Sequence, residues 1–420
     1  VRTASHFAVG LGKGEKVRGA QNPVKPKLAG CGMEAFASAT RTVDSPPVTK
    51  RRVGILTHHE LESLAQQRAI HAPVPFAPDQ VQPTSLDLRL GPIAYRIRAG
   101  FLPRTEPVSE RLRDLCLYTL DLEQGAVLER GCIYLVPLLE TLELPPDVSG
   151  RCNPKSSTGR IDLFTRVITD CHERFDDIRA GYHGRLFLEI MPRSFPVRVQ
   201  TGLRLNQIRL LRGKTRLDDG ETTHEHEASA LVTDAHGGAF AAGSLRIDGG
   251  FHLAVSLVPD PGTEIIGYRA KGYTGVVDLA SIGTHDPLAF FEPLAATASR
   301  RLLLEPEEFY IFQSRERVRV PLHLAAEMHA YDVGIGELRT NYAGFFDAGF
   351  GHGGDGALRG TPAVLEVRPH DVPFVIEDGQ VLFRLEFHRT LMRCERWYGG
   401  PGSSSNYARQ GLTLAKYFRA

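Results

Sequence analysis

Four candidate anion-gripping donors fall within the six residues KSSTGR: Lys155, Ser156, Ser157 and Arg160. Hydroxyls and backbone N–H groups in a tight turn can cradle phosphate oxygens. Beside them, the guanidinium of Arg160 offers two parallel donors and the ammonium of Lys155 a point charge. The same residues would also serve as an ordinary polar turn. A few dozen residues on, Glu189 lies in RLFLEIMP, where alternation sets Leu186, Leu188 and Ile190 on one strand face and Phe187 and Glu189 on the other. A mid-sheet carboxylate is unfavourable unless it is paired, exposed or functional. An anion grip followed by such a carboxylate is the pairing that acid–base chemistry on a phosphorylated substrate needs.

The elements that must hold these residues are mainly strands. Runs such as SLDLRLG at 85, CIYLVPLLETLEL at 132 and FPVRVQTG at 195 alternate with period two and are punctuated by Pro, Gly and Asp. One helix is expected at the front, in THHELESLAQQRAI, with Thr57 as N-cap and Glu60 completing a capping box. The chain also repeats itself. LEIMPRSFPVRVQTGLRLNQIRL at 188 lies over LEVRPHDVPFVIEDGQVLFRLEF at 365, so that Glu189 meets Glu366, Pro192 meets Pro369, Pro196 meets Pro373 and Gly202 meets Gly379. This register implies a tandem duplication. At the place of KSSTGR the second half has AYDVGI from Ala330, without the serine hydroxyls or the cations, and Glu366 is expected to be exposed or structural. The expected organisation is a basic, disordered tail over 1–50, a catalytic domain over 51–215 and a linker over 216–243. A second, diverged domain follows over 244–395, with a closing tail over 396–420. Within the linker, His224, Glu225 and His226 lack the i, i+4 spacing of a helical zinc motif and read as solvated.

Composition removes several classes of function. With 42% hydrophobic and 24% charged residues the 420-residue chain is a soluble globular protein, and a net charge of +1 gives no global pull toward nucleic acid or membrane. Six cysteines without paired spacing indicate neither a disulfide framework nor a zinc knuckle, and point to a reducing cytoplasm. Cys152 and Cys171 are expected as core cysteines.

In motif order, the chain resembles the dCTP deaminase branch of the trimeric dUTPase family. GILTHHELESLAQQRAI and VQPTSLDLRLG match that branch's opening helix and QPSS-type signature. KSSTGR falls on its phosphate and catalytic loop, AGYHGRLFLEI on its LE strand, and SSSNYARQGLTLAKYF on the tail that folds over the nucleotide. The resemblance implies a mainly β chain of two tandem dUTPase-like distorted β-barrel (β-clip) domains with a few short helices. It implies deamination of dCTP to dUTP and ammonia without zinc, in pyrimidine deoxynucleotide synthesis, with Mg2+ carried by the triphosphate. By carry-over, Glu189 is the general base, and Ser156 and Arg160 position the water or stabilise charge. Lys155, Ser157, Tyr407 and Gln410 bind the substrate, and Asp347 completes a site from across an interface. The tail and the loop then meet either within one chain or between neighbouring chains. A homo-oligomer and inhibition by dTTP are further family implications. Two rivals stand beside this reading: an enzyme that also cleaves dUTP to dUMP, and a catalytically silent nucleotide sensor. Asp87 and Arg89 are expected as a structural pair near the site. Trp397 and Tyr398 are expected as a packing anchor for a tail hinged at Gly399, Gly400 and Gly402.

Overall fold

Alternation in Ile133–Glu143 and His183–Pro192 produces two long antiparallel neighbours. Ile93–Ile97 and Cys116–Asp121 extend their sheet on one side, and Leu163–Thr169 on the other. A second sheet runs Leu86–Arg89, Arg204–Arg212, Val148–Pro154, Asp177–Ile178. The computed structural model describes residues 52–330, 338–340, 344–401, 403, 407–408 and 410–419. The expected tail over 1–50, the stretch after Ala330 in AYDVGI and Gly402 lie outside them.

The duplication is visible in the strand order. Phe251–Ser256, Val381–Arg389, Leu324–Ala330 and Phe345–Phe346 follow one another as the strands of the second sheet do. Phe291–Ala295, Ile265–Ala270, Tyr310–Val318, Thr361–Pro369 and Leu338–Thr340 repeat the order of the first. The ribbon of Ala126–Leu128 with Val197–Val199 has its counterpart in Arg301–Leu304 with Phe374–Glu377. Glu189 and Glu366 thus occupy equivalent central strands.

The front helix, His58–Gln66, begins as the sequence implies. Glu60 Oε2 accepts from the Thr57 N–H at 2.8 Å, and Leu61 and Leu64 are buried. Such a cap contributes about 1 kcal/mol. The stretch 216–243, expected as a linker, is more ordered than that. Asp218 and Glu221 form a second capping box opening the helix Asp219–Ser229, and Leu217, Leu231 and Val232 enter the second half's core. The three residues of HEH point to different partners. His226 Nε2 lies 2.9 Å from the Phe240 carbonyl, Glu225 pairs with His323 at 3.0 Å, and His224 is exposed.

Residues Arg51–Ala420 form one compact unit. Ala270, Val277, Leu279, Phe290, Phe291, Phe309, Ile311 and Val364 of the second half join the first half's apolar core, as do Leu414, Ala415, Tyr417 and Phe418 of the tail. Phe195 packs edge-on against Phe290 and Phe291 at 5.5 and 5.2 Å between ring centres. Val277–Asp278 adds a parallel strand to Val197–Val199. Burying aromatic and aliphatic side chains at about 1.5–3 kcal/mol each holds the halves in one register. Their seam forms the site.

Candidate active site

KSSTGR folds into one short helical turn, Ser156–Gly159, between the strands Val148–Pro154 and Leu163–Thr169. Lys155 Nζ is held 2.5 Å from both carboxylate oxygens of Asp87, and burial raises the Asp87 carboxyl despite that cation. Arg89 turns elsewhere, its Nε donating to Glu140 Oε1 at 2.7 Å. The structural pair of Asp87 with Arg89 expected from sequence is therefore not formed. Each orients a different neighbour.

Lys155, Ser156, Ser157, Arg160, Asp347, Tyr407 and Gln410 all line one cavity at the seam. The loop comes from the first half, Asp347 from the second, and Tyr407 and Gln410 from the tail. Arg160 binds the tail directly, donating to Gln410 Oε1 at 2.6 Å and to the Thr413 carbonyl at 2.9 Å while stacking over the Tyr407 ring at 3.9 Å. Gln410 Nε2 donates to the Pro362 carbonyl at 2.9 Å. Loop and tail therefore meet within one chain. Burial raises the Tyr407 phenol, partly offset by Arg160, and burial with the nearby Lys155 lowers the Lys416 ammonium.

Asp347 is bound from across the seam. Arg209 donates to its Oδ1 at 3.1 Å and Ser85 to its Oδ2 at 3.4 Å, while the Thr84 hydroxyl also donates to it. Thr84 and Ser85 belong to QPTSLDLRLG, and Arg209 is stacked over Phe345 at 4.1 Å.

Glu189 is not in this cavity. Both faces of its strand are covered, because Phe187 packs with Ile97, Val108, Leu135 and Ile168 in a small cluster on the outer side. Its Oε1 accepts from Arg166 Nε at 3.0 Å, and Gly100 passes so close that a Cβ there would lie 2.5 Å from Oε2. The carboxylate facing the cavity is Glu366, only 3% exposed and contributed by the second half. Of the two expectations for Glu366, exposed or structural, burial removes the first. A Cβ on Gly159 would sit 2.4 Å from each of its carboxylate oxygens, so the missing side chain at Gly159 is what admits it. The physical reason is packing: the loop of one half meets the LE strand of the other.

Sequence reasoning also passed over Gln82, Gln207 and the apolar wall Phe345, Phe346 and Phe350. Gln82 opens the QPTS run, and the aromatics stand in GFFDAGF immediately around Asp347, so a signal existed for both. Trp397 is wrapped by glycines, with Gly354 and Gly400 against its ring, in keeping with a packing anchor. Tyr398 lines the cavity. Among the described residues no helix is long and apolar enough to cross a membrane.

A family model described as the 2'-deoxycytidine 5'-triphosphate deaminase N-terminal domain matches residues 52–214, and its C-terminal counterpart matches 218–418. A dCTP deaminase, dUMP-forming, from Acidothermus cellulolyticus is 29% identical over 139 residues, covering 33% of this chain and 70% of that protein. A protein of the same name from Dictyoglomus turgidum is 28% identical over 159 residues, covering 37% and 78%. The crystal structure of 2'-deoxycytidine 5'-triphosphate deaminase from Agrobacterium tumefaciens is 46% identical, with a TM-score of 0.77 over 82% of this chain and 98% of that one. Its likeness marks the double-length arrangement as dUTPase-like. Family models across both halves, on a fold that brings loop, strand and tail to one seam, place this chain in the dCTP deaminase family.

Proposed function

We propose that Glu366, not Glu189, is the general base of dCTP deamination, working on a water held by it and Ser156 in the cavity. The observation that carries this is the Glu366 carboxylate seated against Gly159 in the cavity that Ser156, Arg160 and Gln410 line. One proton of the water passes through Glu366 to N3 as its oxygen bonds to C4 of cytosine. Glu366 then carries the remaining hydroxyl proton to the departing amine, so that dCTP and water become dUTP and ammonia. A positioned acid–base group of this kind contributes about 10²–10⁴-fold. Ser156 orients the water, and Arg160 holds the tail closed while opposing charge that develops on the ring. Lys155 and Ser157 serve the triphosphate.

Zinc activation is not part of this reading. The sequence lacks an HxE…PCxxC signature, and the described cavity lining contains neither His nor Cys. Among the described residues no three His, Cys, Asp or Glu side chains gather as a metal cage. Asp87 and Asp347 are already engaged by Lys155 and Arg209. The residues present suit a Mg2+ that enters on the nucleotide's own phosphates.

Purified protein given dCTP with Mg2+, its products separated by chromatography, tests the reading. Wild type and Glu189→Gln should release dUTP and ammonia, and Glu366→Gln should lose most of this turnover. An active Glu366→Gln beside an inactive Glu189→Gln would overturn the assignment. Appearance of dUMP and pyrophosphate would add the second activity that the relatives' names carry. Unchanged dCTP with saturable binding would leave a sensor.

A further inference from the structure

Two residues beyond Glu366, on the same face of Thr361–Pro369, stands Arg368. Two residues beyond Arg160 stands Asp162. Their side chains form an ion pair across the seam, with 3% and 0% of their side-chain surface exposed. Ser194 donates to Asp162 Oδ2 at 2.6 Å, and Arg368 reaches Ser194 Oγ at 3.2 Å. Asp162 adopts a φ of 55°, a left-handed conformation that Asp tolerates better than most residues. From there its N–H donates to the Gly159 carbonyl at 2.8 Å.

These contacts close a circuit. Glu366 abuts Gly159, Gly159 is bonded to Asp162, Asp162 is paired with Arg368, and Arg368 shares a strand face with Glu366. Neither half can slide against the other along this strand without separating the buried pair, which Arg368 extends to Glu307 at 3.8 Å, and breaking a buried ion pair is resisted strongly. The first half has no equivalent, since Met191 occupies the place two residues beyond Glu189. A cation thus stands two residues beyond the glutamate only on the strand whose glutamate faces the loop.

We propose that Asp162 and Arg368 are positioning residues that fix the distance between the Glu366 carboxylate and the Ser156–Gly159 turn. Neither lines the cavity. Their effect is on kcat, because a displacement near 1 Å at a reacting group can cost on the order of 10²-fold. The proposal rests on Glu366 as the base.

The test uses the full chain with Arg368→Met, which installs the residue of the other half, Asp162→Asn, the double variant, and Arg368→Lys. The readouts are kcat and KM for dCTP, thermal melting, and dCTP affinity measured in a Glu366→Gln background where turnover is blocked. The expected result is a kcat lower by roughly 10- to 100-fold, with KM and affinity within about threefold of wild type. The double variant should lose little more than either single, and Arg368→Lys should recover part of the rate. A kcat within twofold of wild type would overturn the proposal, as would a rise in KM and a fall in melting temperature at unchanged kcat. Should Arg368→Met fail to fold, the near-isosteric Asp162→Asn carries the same expectation. A Glu366→Gln variant that still turns over dCTP would instead strike down the base assignment, and this role with it. An inactive Glu366→Gln beside an unaffected Asp162→Asn would sink the positioning role alone.

Discussion

Gly159→Ala separates the two glutamates more cleanly than removing either one. Gly159 lies in a helical turn, so alanine suits the backbone there and would by propensity stabilise a helix interior by about 1 kcal/mol. The added Cβ, however, would stand 2.4 Å from both Glu366 oxygens, where ordinary contact begins at 3.4 Å. The carboxylate end must withdraw by about 1 Å, which the flexible end of a glutamate can do at little cost in stability. At a reacting group, 1 Å is worth on the order of 10²-fold, or about 2.7 kcal/mol of barrier. Ammonia release from dCTP should therefore fall about a hundredfold in kcat while the melting temperature moves by only a few degrees. The matched control is Gly100→Ala, whose Cβ would press on Glu189 Oε2 at 2.5 Å. It should leave kcat near wild type. A fast Gly159→Ala enzyme, or a slow Gly100→Ala enzyme of unchanged stability, would refute the reasoning.

Asp347→Ala leaves the Arg209 guanidinium buried without its carboxylate, so calorimetry or denaturant unfolding should show a loss of about 3–5 kcal/mol along with lost turnover. Gln410→Ala removes the tail's bonds to Arg160 and the Pro362 carbonyl; steady-state kinetics should show KM for dCTP rising several-fold, more than kcat falls. Burial pushes the Asp176 carboxyl up to about 7, from 3.8, even though its Oδ1 accepts from the Val167 N–H at 2.7 Å. The folded state then holds a proton that the unfolded chain releases, so this contribution to stability is complete below pH 3.8 and is lost as pH rises through about 7. Melting curves of Asp176→Asn should lack that decline.

Much of the architecture could be read from residues. Period-two alternation gave the strands, Thr57 with Glu60 gave the front helix, and the match of Glu189 to Glu366 gave the duplication that the strand order repeats. The helix at Asp219–Ser229 had the same kind of signal, in Asp218 and Glu221, but a charged and then Gly/Ala-rich stretch masked it. The site was legible as a set of residue types and less so as a set of partners. KSSTGR and the first LE strand are near in sequence, and that nearness suggested a shared site. Alignment establishes that Glu189 and Glu366 are equivalent but is silent on which of them faces the loop. That choice is made by the packing of one half on the other. Two glycines report it: Gly159 against Glu366, and Gly100 against Glu189.

The helix Asp219–Ser229 stands at the passage from one half to the other, tied into the second half's structure through Arg389, which donates to Glu221 at 2.8 Å. Because loop and glutamate ride on the same polypeptide, their encounter is first order in protein. Dilution does not disperse them, and activity per molecule need not follow subunit concentration. The tether also alters what mutation can do. Where two identical copies build a site, one substitution alters every loop and every strand alike. On the proposed assignment each half is free to lose what the other supplies, and Glu189, shut behind Arg166 and Gly100, would be what such freedom leaves behind.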